Sequence, residues 1–174
     1  MTAIVKINDD MWEEVNTHLL PKGAKTEEAG FAFATHKAAN NSLIIEIVEW
    51  MPLCNSDFSK QYGDYLELTS ETRSRIIKHA HVSGTSLVEF HSHPFPYPAA
   101  FSYADKVGLQ EFVPHVMWRL PNRPYTAIVV APSGFDSLVW TDSKSSPSSI
   151  KHVVTESQNF SPTNISINSW SNHE

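Results

Sequence analysis

Two histidines and an aspartate near the middle of the chain have the types and spacing of metal ligands. His91 and His93 follow an apolar run, Leu87 to Phe90, which we interpret as a strand. Side chains two residues apart on a strand point to the same face, so both imidazoles can converge on one cation. Asp105 lies at the start of a predicted helix, Tyr103 to Val113. Two imidazoles and one carboxylate, with a fourth position left for water, can form a catalytic zinc site.

Each half of this pattern also has an ordinary structural explanation. A second His-x-His, His79 to His81, lies in a predicted helix, where residues i and i+2 diverge by roughly 200°, and we interpret it as plain surface. Ser102 and Asp105 match the signature of a helix N-cap. The complete order of strand, His-Ser-His-Pro, loop, Ser-x-x-Asp and helix is far more specific than either half.

That order resembles the JAMM family of zinc metallopeptidases, also called MPN-plus. The family pattern is an upstream glutamate, His-Ser/Thr-His-Pro, a short loop and Ser-x-x-Asp, matched here by His91 to Pro94 and Ser102 to Asp105. The loop Phe95 to Phe101 is one residue longer than is usual in the family. The resemblance implies an α/β fold: a three-layer α-β-α sandwich of the deaminase-like kind, with a mixed, mostly antiparallel sheet.

The resemblance also implies the roles of the other site residues. Glu27 fits the glutamate of the family pattern Glu-x-x-Gly and would act as general base and acid, whereas Glu28 would point to the other face of the strand. Ser102 would donate a hydrogen bond to the oxyanion, although its capping role competes for the same hydroxyl. Ser92 points away from the metal and is assigned to packing behind the ligands. The implied cofactor is one zinc ion, held by His91, His93 and Asp105.

The activity that the resemblance implies is a zinc-dependent isopeptidase or peptidase that cleaves the amide bond after the C-terminus of a ubiquitin-like protein. It would process precursors or remove conjugates, with the activating and conjugating enzymes of that pathway as further partners. Compact bacterial members act in antiviral operons of this kind or release amino acids from sulfur-carrier proteins, and the sequence leaves both open. A non-catalytic ubiquitin-binding scaffold of the MPN type is disfavoured, because all five positions of the pattern are filled here.

The substrate tail is expected to add a strand beside an exposed sheet edge. Aromatic residues of the loop after the ligands, Phe95, Tyr97 and Phe101, would form an apolar wall beside that tail. Packing within the loop explains these aromatic residues equally well, so both interpretations stay open here.

Three other classes of hydrolase are excluded or disfavoured by the residues themselves. A nucleobase deaminase needs His-x-Glu and Pro-Cys-x-x-Cys, and Cys54 is the only cysteine. A zincin protease would carry His-Glu-x-x-His, which does not occur in the chain. Cys54 as a nucleophile would need an activating group nearby, and its irregular stretch offers none.

The length and charge of the chain restrict its partners. The 174 residues suffice for one domain with a sizeable core. The formal net charge of −6, without a cluster of Lys or Arg, argues against nucleic acid as the main partner. No apolar stretch approaches membrane-spanning length, and the N-terminal segment has no signal-peptide pattern. We therefore expect a cytoplasmic protein that binds neither nucleic acid nor membranes.

The remaining elements are predicted from apolar periodicity and turn residues. In the first hairpin, Phe31 and Phe33 are predicted to line one face and Ala32 and Ala34 the other. The helix that begins at Ser102 is predicted to end before Pro114, and residues 51–63 to be irregular. The predicted elements are a strand at 3–7, a helix from Asn8 or Asp9 to about 20, strands 26–34 and 42–50, a strand at 65–68, a helix from 69 or 70 to about 82, and strands 125–130 and 137–140.

A shift towards Ser, Thr, Asn and Pro divides the chain near residue 142. Residues 1–141 form the predicted JAMM/MPN-like metallopeptidase domain, and residues 142–174 a Ser/Asn-rich C-terminal extension. Within the extension, residues 142–163 are interpreted as an extended or partly mobile connection. The alternation in 165–170 predicts a segment that returns as an edge strand.

Overall fold

The computed structural model describes residues 2–170 of the chain. This part contains ten strands and four α-helices. Most of these elements lie where the sequence predicts them. In chain order they are β1 (Thr2–Lys6), α1 (Asp9–Leu19), β2 (Ala29–Ala39), β3 (Ser42–Pro52), a 3-10 turn (Asn55–Asp57), β4 (Phe58–Gln61), β5 (Leu66–Leu68), α2 (Ser70–Ser83), β6 (Ser86–Ser92), α3 (Tyr103–Arg119), β7 (Tyr125–Ala131), β8 (Gly134–Trp140), β9 (Ile150–Val154), β10 (Asn159–Phe160) and α4 (Ile165–Asn168).

One mixed sheet of eight strands organises the molecule, in the order β10-β9-β1-β3-β2-β6-β7-β8. Neighbours are parallel at β9–β1, β1–β3 and β6–β7 and antiparallel at the other four junctions. The sheet curls until β8 reaches the segment before β9, where Val139 and Ser148 exchange two backbone hydrogen bonds. The separate hairpin β4–β5 forms a second, small sheet.

Helices cover both faces of the sheet, each over its own apolar cluster. On one face α1 packs Val15 and Leu19 into a cluster that includes Ala32 and Ala34. On the other face α2 and α3 pack over a cluster that includes Phe31 and Phe33. The prediction that these phenylalanines and alanines face opposite sides of β2 is confirmed. An α/β fold with helices on either side of a mixed sheet is therefore established.

The pairing of β2 with β6 decides what lies beside the histidines. The two strands are antiparallel, and Ala29 pairs with His91. The residues just before Ala29 are thereby held next to the end of β6. The backbone of Glu28 confirms this closeness, because its carbonyl accepts a hydrogen bond of 2.9 Å from the N–H of Ser92.

The third helix does not end before Pro114, as the sequence predicts, but continues through it to Arg119. A proline inside a helix costs about 3 kcal/mol, because it removes one backbone hydrogen bond and crowds the preceding turn. Burial of an aliphatic side chain contributes roughly 1.5–3 kcal/mol. Four apolar residues on the inner face of this stretch outweigh the proline: Val113, Val116, Met117 and Leu120 are all buried.

The C-terminal segment belongs to the sheet, so its interpretation as an extended connection is wrong for residues 150–154 and 159–160. Strand β9 pairs in parallel with β1, and β10 forms the edge beside it. The edge strand predicted at 165–170 is also wrong, because a short helix, α4, occupies Ile165–Asn168. Residues 171–174 of the predicted extension lie outside the described part of the chain.

The helix α4 forms because a buried carboxylate binds its start. Asp136 accepts hydrogen bonds from the N–H groups of Asn164 at 3.1 Å and Ser166 at 2.8 Å. Residues 51–63 also differ from the prediction of irregular chain, since they contain the 3-10 turn and β4. Among residues 2–170, no helix has both the length and the apolar character needed to cross a membrane.

Candidate metal centre

His91 and His93 are fixed by the backbone at the end of β6. His91 pairs with Ala29 on one side and Val129 on the other, and the N–H of His93 donates to the carbonyl of Val130 at 2.8 Å. His91 is buried and His93 is half-buried. Their ring centroids are 5.1 Å apart, so the two imidazoles converge as the i, i+2 spacing predicts.

Asp105 approaches the histidines from the first turn of α3. Ser102 caps this helix in a reciprocal arrangement: its N–H donates to Oδ2 of Asp105 at 2.6 Å, and its Oγ accepts from the N–H of Asp105 at 3.1 Å. The cap holds Oδ2 at 3.5 Å from Nε2 of His91 and 3.2 Å from Nε2 of His93. Donor atoms of all three predicted ligands lie within 4.8 Å of one another.

The ring nitrogens of this cluster have the properties expected of metal ligands. Both ring nitrogens of His91 and Nε2 of His93 are buried, and within residues 2–170 their contacts with the nearby carboxylates do not have hydrogen-bond geometry. A buried polar atom without a partner costs about 1–3 kcal/mol, so orphaned atoms are rare. Two imidazoles and a carboxylate are the donor set that zinc accepts with an open fourth position. The residues present therefore fit a zinc ion.

Negative charge accumulates around the two imidazoles. Burial alone would lower the pKa of His91, but Asp105, Glu89 and Glu27 outweigh it and raise that pKa to about 9. Burial likewise favours protonation of Asp105, yet the two histidines hold the pKa of its carboxyl well below the usual range. Three carboxyl groups, those of Asp105, Glu89 and Glu27, thus lie close enough to His91 to act on its imidazole.

Glu27 lies beside the cluster without belonging to the ligand set. Its Oε1 is 3.5 Å from Nε2 of His93, and the side chain is buried. The hairpin β4–β5 holds its backbone, because Gln61 donates to the Glu27 carbonyl at 2.9 Å and the Glu27 N–H donates to the carbonyl of Tyr62 at 2.8 Å. Burial raises the pKa of the Glu27 carboxyl, and both histidines oppose that rise.

Ser92 holds the segment before β2, which carries Glu27, and its hydroxyl does not face the candidate ligands. Its Oγ accepts a hydrogen bond of 2.9 Å from the N–H of Glu28, and Ser92 is fully buried. The side chain of Glu28 reaches a different region, a shallow groove beside α1. Of the two neighbouring glutamates, the structure therefore brings Glu27 to the histidines.

The capping role of Ser102 does not exclude a donor role. In the cap, Oγ accepts a hydrogen bond from the N–H of Asp105. A serine hydroxyl has one O–H to donate as well as two lone pairs, so accepting this bond leaves the O–H for another acceptor. The competition expected from the sequence therefore does not arise.

The loop after the ligands has an outer and an inner part. Phe95 and Tyr97 are exposed, and the Phe95 ring packs over Gly63, where an added Cβ would come within 3.3 Å of it. Phe101 is buried in the core, with its ring centroid 5.5 Å from that of His91. The predicted apolar wall can therefore include Phe95 and Tyr97, whereas Phe101 supports the ligand from behind.

The C-terminal segment holds this loop from its inner side. Thr163 donates to the carbonyl of Ala99 at 2.6 Å, and Oγ of Ser166 accepts from the N–H of Phe101 at 2.8 Å. Nζ of the buried Lys106 donates to Oγ of Ser169 at 2.9 Å. Nothing in the local sequence indicates these contacts, which join positions more than 60 apart.

A residue that the sequence interpretation missed is Glu89, on the same face of β6 as the two histidines. Its Oε1 lies 3.8 Å from Nδ1 of His91, and its Oε2 accepts a hydrogen bond from the hydroxyl of Tyr125. Burial raises the pKa of the Glu89 carboxyl. The spacing Glu89, His91, His93 is the i, i+2, i+4 pattern of one strand face, so a signal for Glu89 was present.

Comparisons with known proteins add no relative to this description. A scan against protein-family models matches none of them. A search of curated proteins finds no similar sequence. The likeness to the JAMM family therefore depends on the chain's own motif and on the cluster that the motif forms.

Proposed function

We propose that this chain is a cytoplasmic zinc metallopeptidase of the JAMM type, which hydrolyses the amide bond after the C-terminus of a ubiquitin-like protein. The proposal depends chiefly on one observation: three donor atoms lie within 4.8 Å of one another, beside a buried glutamate 3.5 Å from His93. Helices on both faces of a mixed sheet, with His-Ser-His-Pro at the end of β6 and Asp105 on α3, support the JAMM/MPN form of the α/β fold.

His91, His93 and Asp105 would hold the ion. When bound, zinc supplies a Lewis acid for the scissile carbonyl and lowers the pKa of a coordinated water to about 7. Glu27 accepts the proton of the attacking water and later donates it to the departing nitrogen. Its raised pKa suits this double role, because a general base works best when its pKa approaches the working pH.

Ser102 would stabilise the negative charge that develops on the carbonyl oxygen. Its O–H is available for donation while the cap holds the hydroxyl oxygen in place. A preorganised donor of this kind typically contributes about 10²–10³ in rate. The same helix cap thus orients two groups: the carboxylate of Asp105, a proposed ligand, and the hydroxyl of Ser102, a proposed hydrogen-bond donor.

The substrate tail would lie along the open side of the centre. Phe95 and Tyr97 present exposed aromatic surface in the loop that follows His93, and Gly63 lies under the Phe95 ring. An extended tail gains affinity from main-chain hydrogen bonds and specificity from alternate side chains. A folded ubiquitin-like body would remain outside, with only its C-terminal residues reaching Glu27 and the ligands.

The test is cleavage of a ubiquitin-like protein fused through its C-terminus to a reporter. We expect cleavage directly after the tail, loss of activity with a chelator and recovery with zinc. Glu27→Gln should keep the metal and lose at least about 10²-fold in rate, because only the proton acceptor is removed. Glu28→Gln is the matched control and should be nearly silent.

Other outcomes would replace this proposal with a defined alternative. Cleavage restricted to a sulfur-carrier protein with an appended amino acid would indicate sulfur-carrier processing. Equal cleavage of unrelated unfolded peptides would indicate a general metallopeptidase. Binding of the ubiquitin-like protein without any hydrolysis would indicate a scaffold.

A further inference from the structure

The two ring nitrogens of His91 face different groups. Nε2 is directed to the ligand cluster, 3.5 Å from Oδ2 of Asp105. Nδ1 is directed to the opposite side, where Oε1 of Glu89 lies at 3.8 Å. Within residues 2–170 this buried Nδ1 has no hydrogen-bond partner. The carboxylate nearest to Nδ1 is therefore that of Glu89, which takes no part in the proposed proton transfers.

Glu89 is itself held from behind by a residue of the adjacent strand. The hydroxyl of Tyr125 donates to Oε2 of Glu89. Tyr125 belongs to β7, which runs parallel to β6, and its ring is almost fully buried against Phe112 and Trp140, both with centroids 6.1 Å away. Because the tyrosine ring is buried and packed against these two rings, its hydroxyl holds one oxygen of Glu89 and leaves the other for His91.

We propose that Glu89 and Tyr125 are positioning residues for the metal centre: Tyr125 orients Glu89, and Glu89 accepts a hydrogen bond from Nδ1–H of His91. This inference rests on the proposed function, because it assumes that His91 is a ligand. A carboxylate behind a ligating histidine fixes the tautomer and the ring orientation, so that the unprotonated nitrogen faces the ion.

The geometry favours this role over direct ligation by Glu89. Its oxygens lie on the Nδ1 side of His91, whereas the Nε2 atoms of both histidines face Asp105. The separation of 3.8 Å exceeds the roughly 2.9 Å of an ordinary N–H···O bond, so the bond forms after a small rotation of either side chain.

The test measures zinc affinity of the purified full chain by competition with a chelator of known affinity. Loss of an outer partner of a ligating histidine typically weakens metal binding about 10–100-fold, which is the loss expected for Glu89→Gln. Tyr125→Phe removes one hydrogen bond to Glu89 and should weaken binding roughly 3- to 10-fold. If Tyr125 acts through Glu89, the double variant should bind no more weakly than Glu89→Gln alone.

The chain offers a matched control in Tyr65 and Glu67 of the small hairpin. They form the same kind of pair, with the Tyr65 hydroxyl 3.0 Å from Oε2 of Glu67, but Tyr65 is exposed, Glu67 is half-buried and also pairs with Lys60, and the pair is not next to a candidate ligand. Tyr65→Phe and Glu67→Gln should leave zinc affinity within about twofold of the wild type, which is the scatter of an ordinary surface change. Circular dichroism of every metal-free variant establishes that it is folded.

A spectroscopic measurement separates positioning from general stability. With cobalt in place of zinc, the visible absorption bands report the ligand geometry, so Glu89→Gln should change them and Glu67→Gln should not. Unchanged absorption bands together with unchanged zinc affinity in Glu89→Gln would overturn the inference. A double variant whose loss of zinc affinity equals the sum of the two single losses, in free energy, would overturn it as well. Failure of the wild type to bind zinc would instead overturn the proposed function.

Discussion

The three candidate ligands, His91, His93 and Asp105, are brought together by local geometry at two positions in the chain. At the end of β6 the extended backbone places His91, and His93 just beyond the strand, on one face. On α3 the N-cap aims the carboxylate of Asp105, because Ser102 binds its Oδ2 and its backbone N–H. Each of the three side chains is thus oriented by a strand end or a helix cap formed by its own neighbours in the chain.

At the residue scale we predict that the wild type binds about one zinc per chain, as a site with three protein ligands and an open position does. His93→Ala and Asp105→Ala should each lose this stoichiometric zinc, measured by metal analysis after dialysis. His79→Ala is the matched control, because it alters the other His-x-His, on α2, where the ring contacts Glu49 at 2.9 Å. Unchanged zinc content in both ligand variants would contradict the assignment.

At the scale of elements, the C-terminal segment has the largest structural consequence for the centre. Its helix α4 is anchored by Asp136 in β8, and its side chains hold the loop that leads to Ser102. The segment therefore links the sheet, through Asp136, to the loop that connects His93 with Ser102. The polar segment after residue 142 therefore supports the loop that leads to Ser102.

We predict that Ser166→Ala destabilises the protein by about 1–3 kcal/mol, because the buried N–H of Phe101 loses its acceptor. The same change should weaken zinc binding, since Phe101 directly precedes the cap residue Ser102. Urea unfolding and chelator competition give the two readouts. Ser161→Ala, which alters an exposed contact of the same segment with His152, should change neither. Equal behaviour of the two variants would exclude the supporting role.

At the scale of the whole molecule, the charges at the centre connect stability to pH. In the metal-free protein the carboxylates around His91 raise its pKa from the ordinary 6.5 to about 9, despite burial. When the pKa of a group is higher in the folded than in the unfolded state, its protonation stabilises the fold. This stabilisation is complete at pH values below the pKa of the unfolded state. That stabilisation is lost as the pH rises through the folded pKa.

We therefore predict that the free energy of unfolding of the metal-free protein falls between pH 6.5 and 9. Urea unfolding at several pH values, in the presence of a chelator, measures this change. His91→Gln removes the titrating group and should flatten the dependence over the same interval. A wild-type protein with constant stability across that interval, or a variant with the same slope, would contradict the prediction.

The sequence by itself determined the cluster of candidate ligands and most elements, because these follow from local periodicity. The i, i+2 spacing of His91 and His93, the Ser102 cap and the hairpin β2–β3 all depend on residues close together in the chain. The extent of α3 did not follow, because Pro114 is a strong local stop signal that only the burial of the surrounding apolar face outweighs.

Only the tertiary structure decided which groups surround the ligands. The register of β2 on β6 brings Glu27 to His93, the pairing of β7 with β6 brings Tyr125 to Glu89, and β9 joins the sheet beside β1. These contacts join residues 36 to about 150 positions apart, and strand order is set by the packing of the whole core. Local sequence patterns do not indicate which distant residues will be neighbours. The pairing register of the strands in the folded sheet determines each of these contacts.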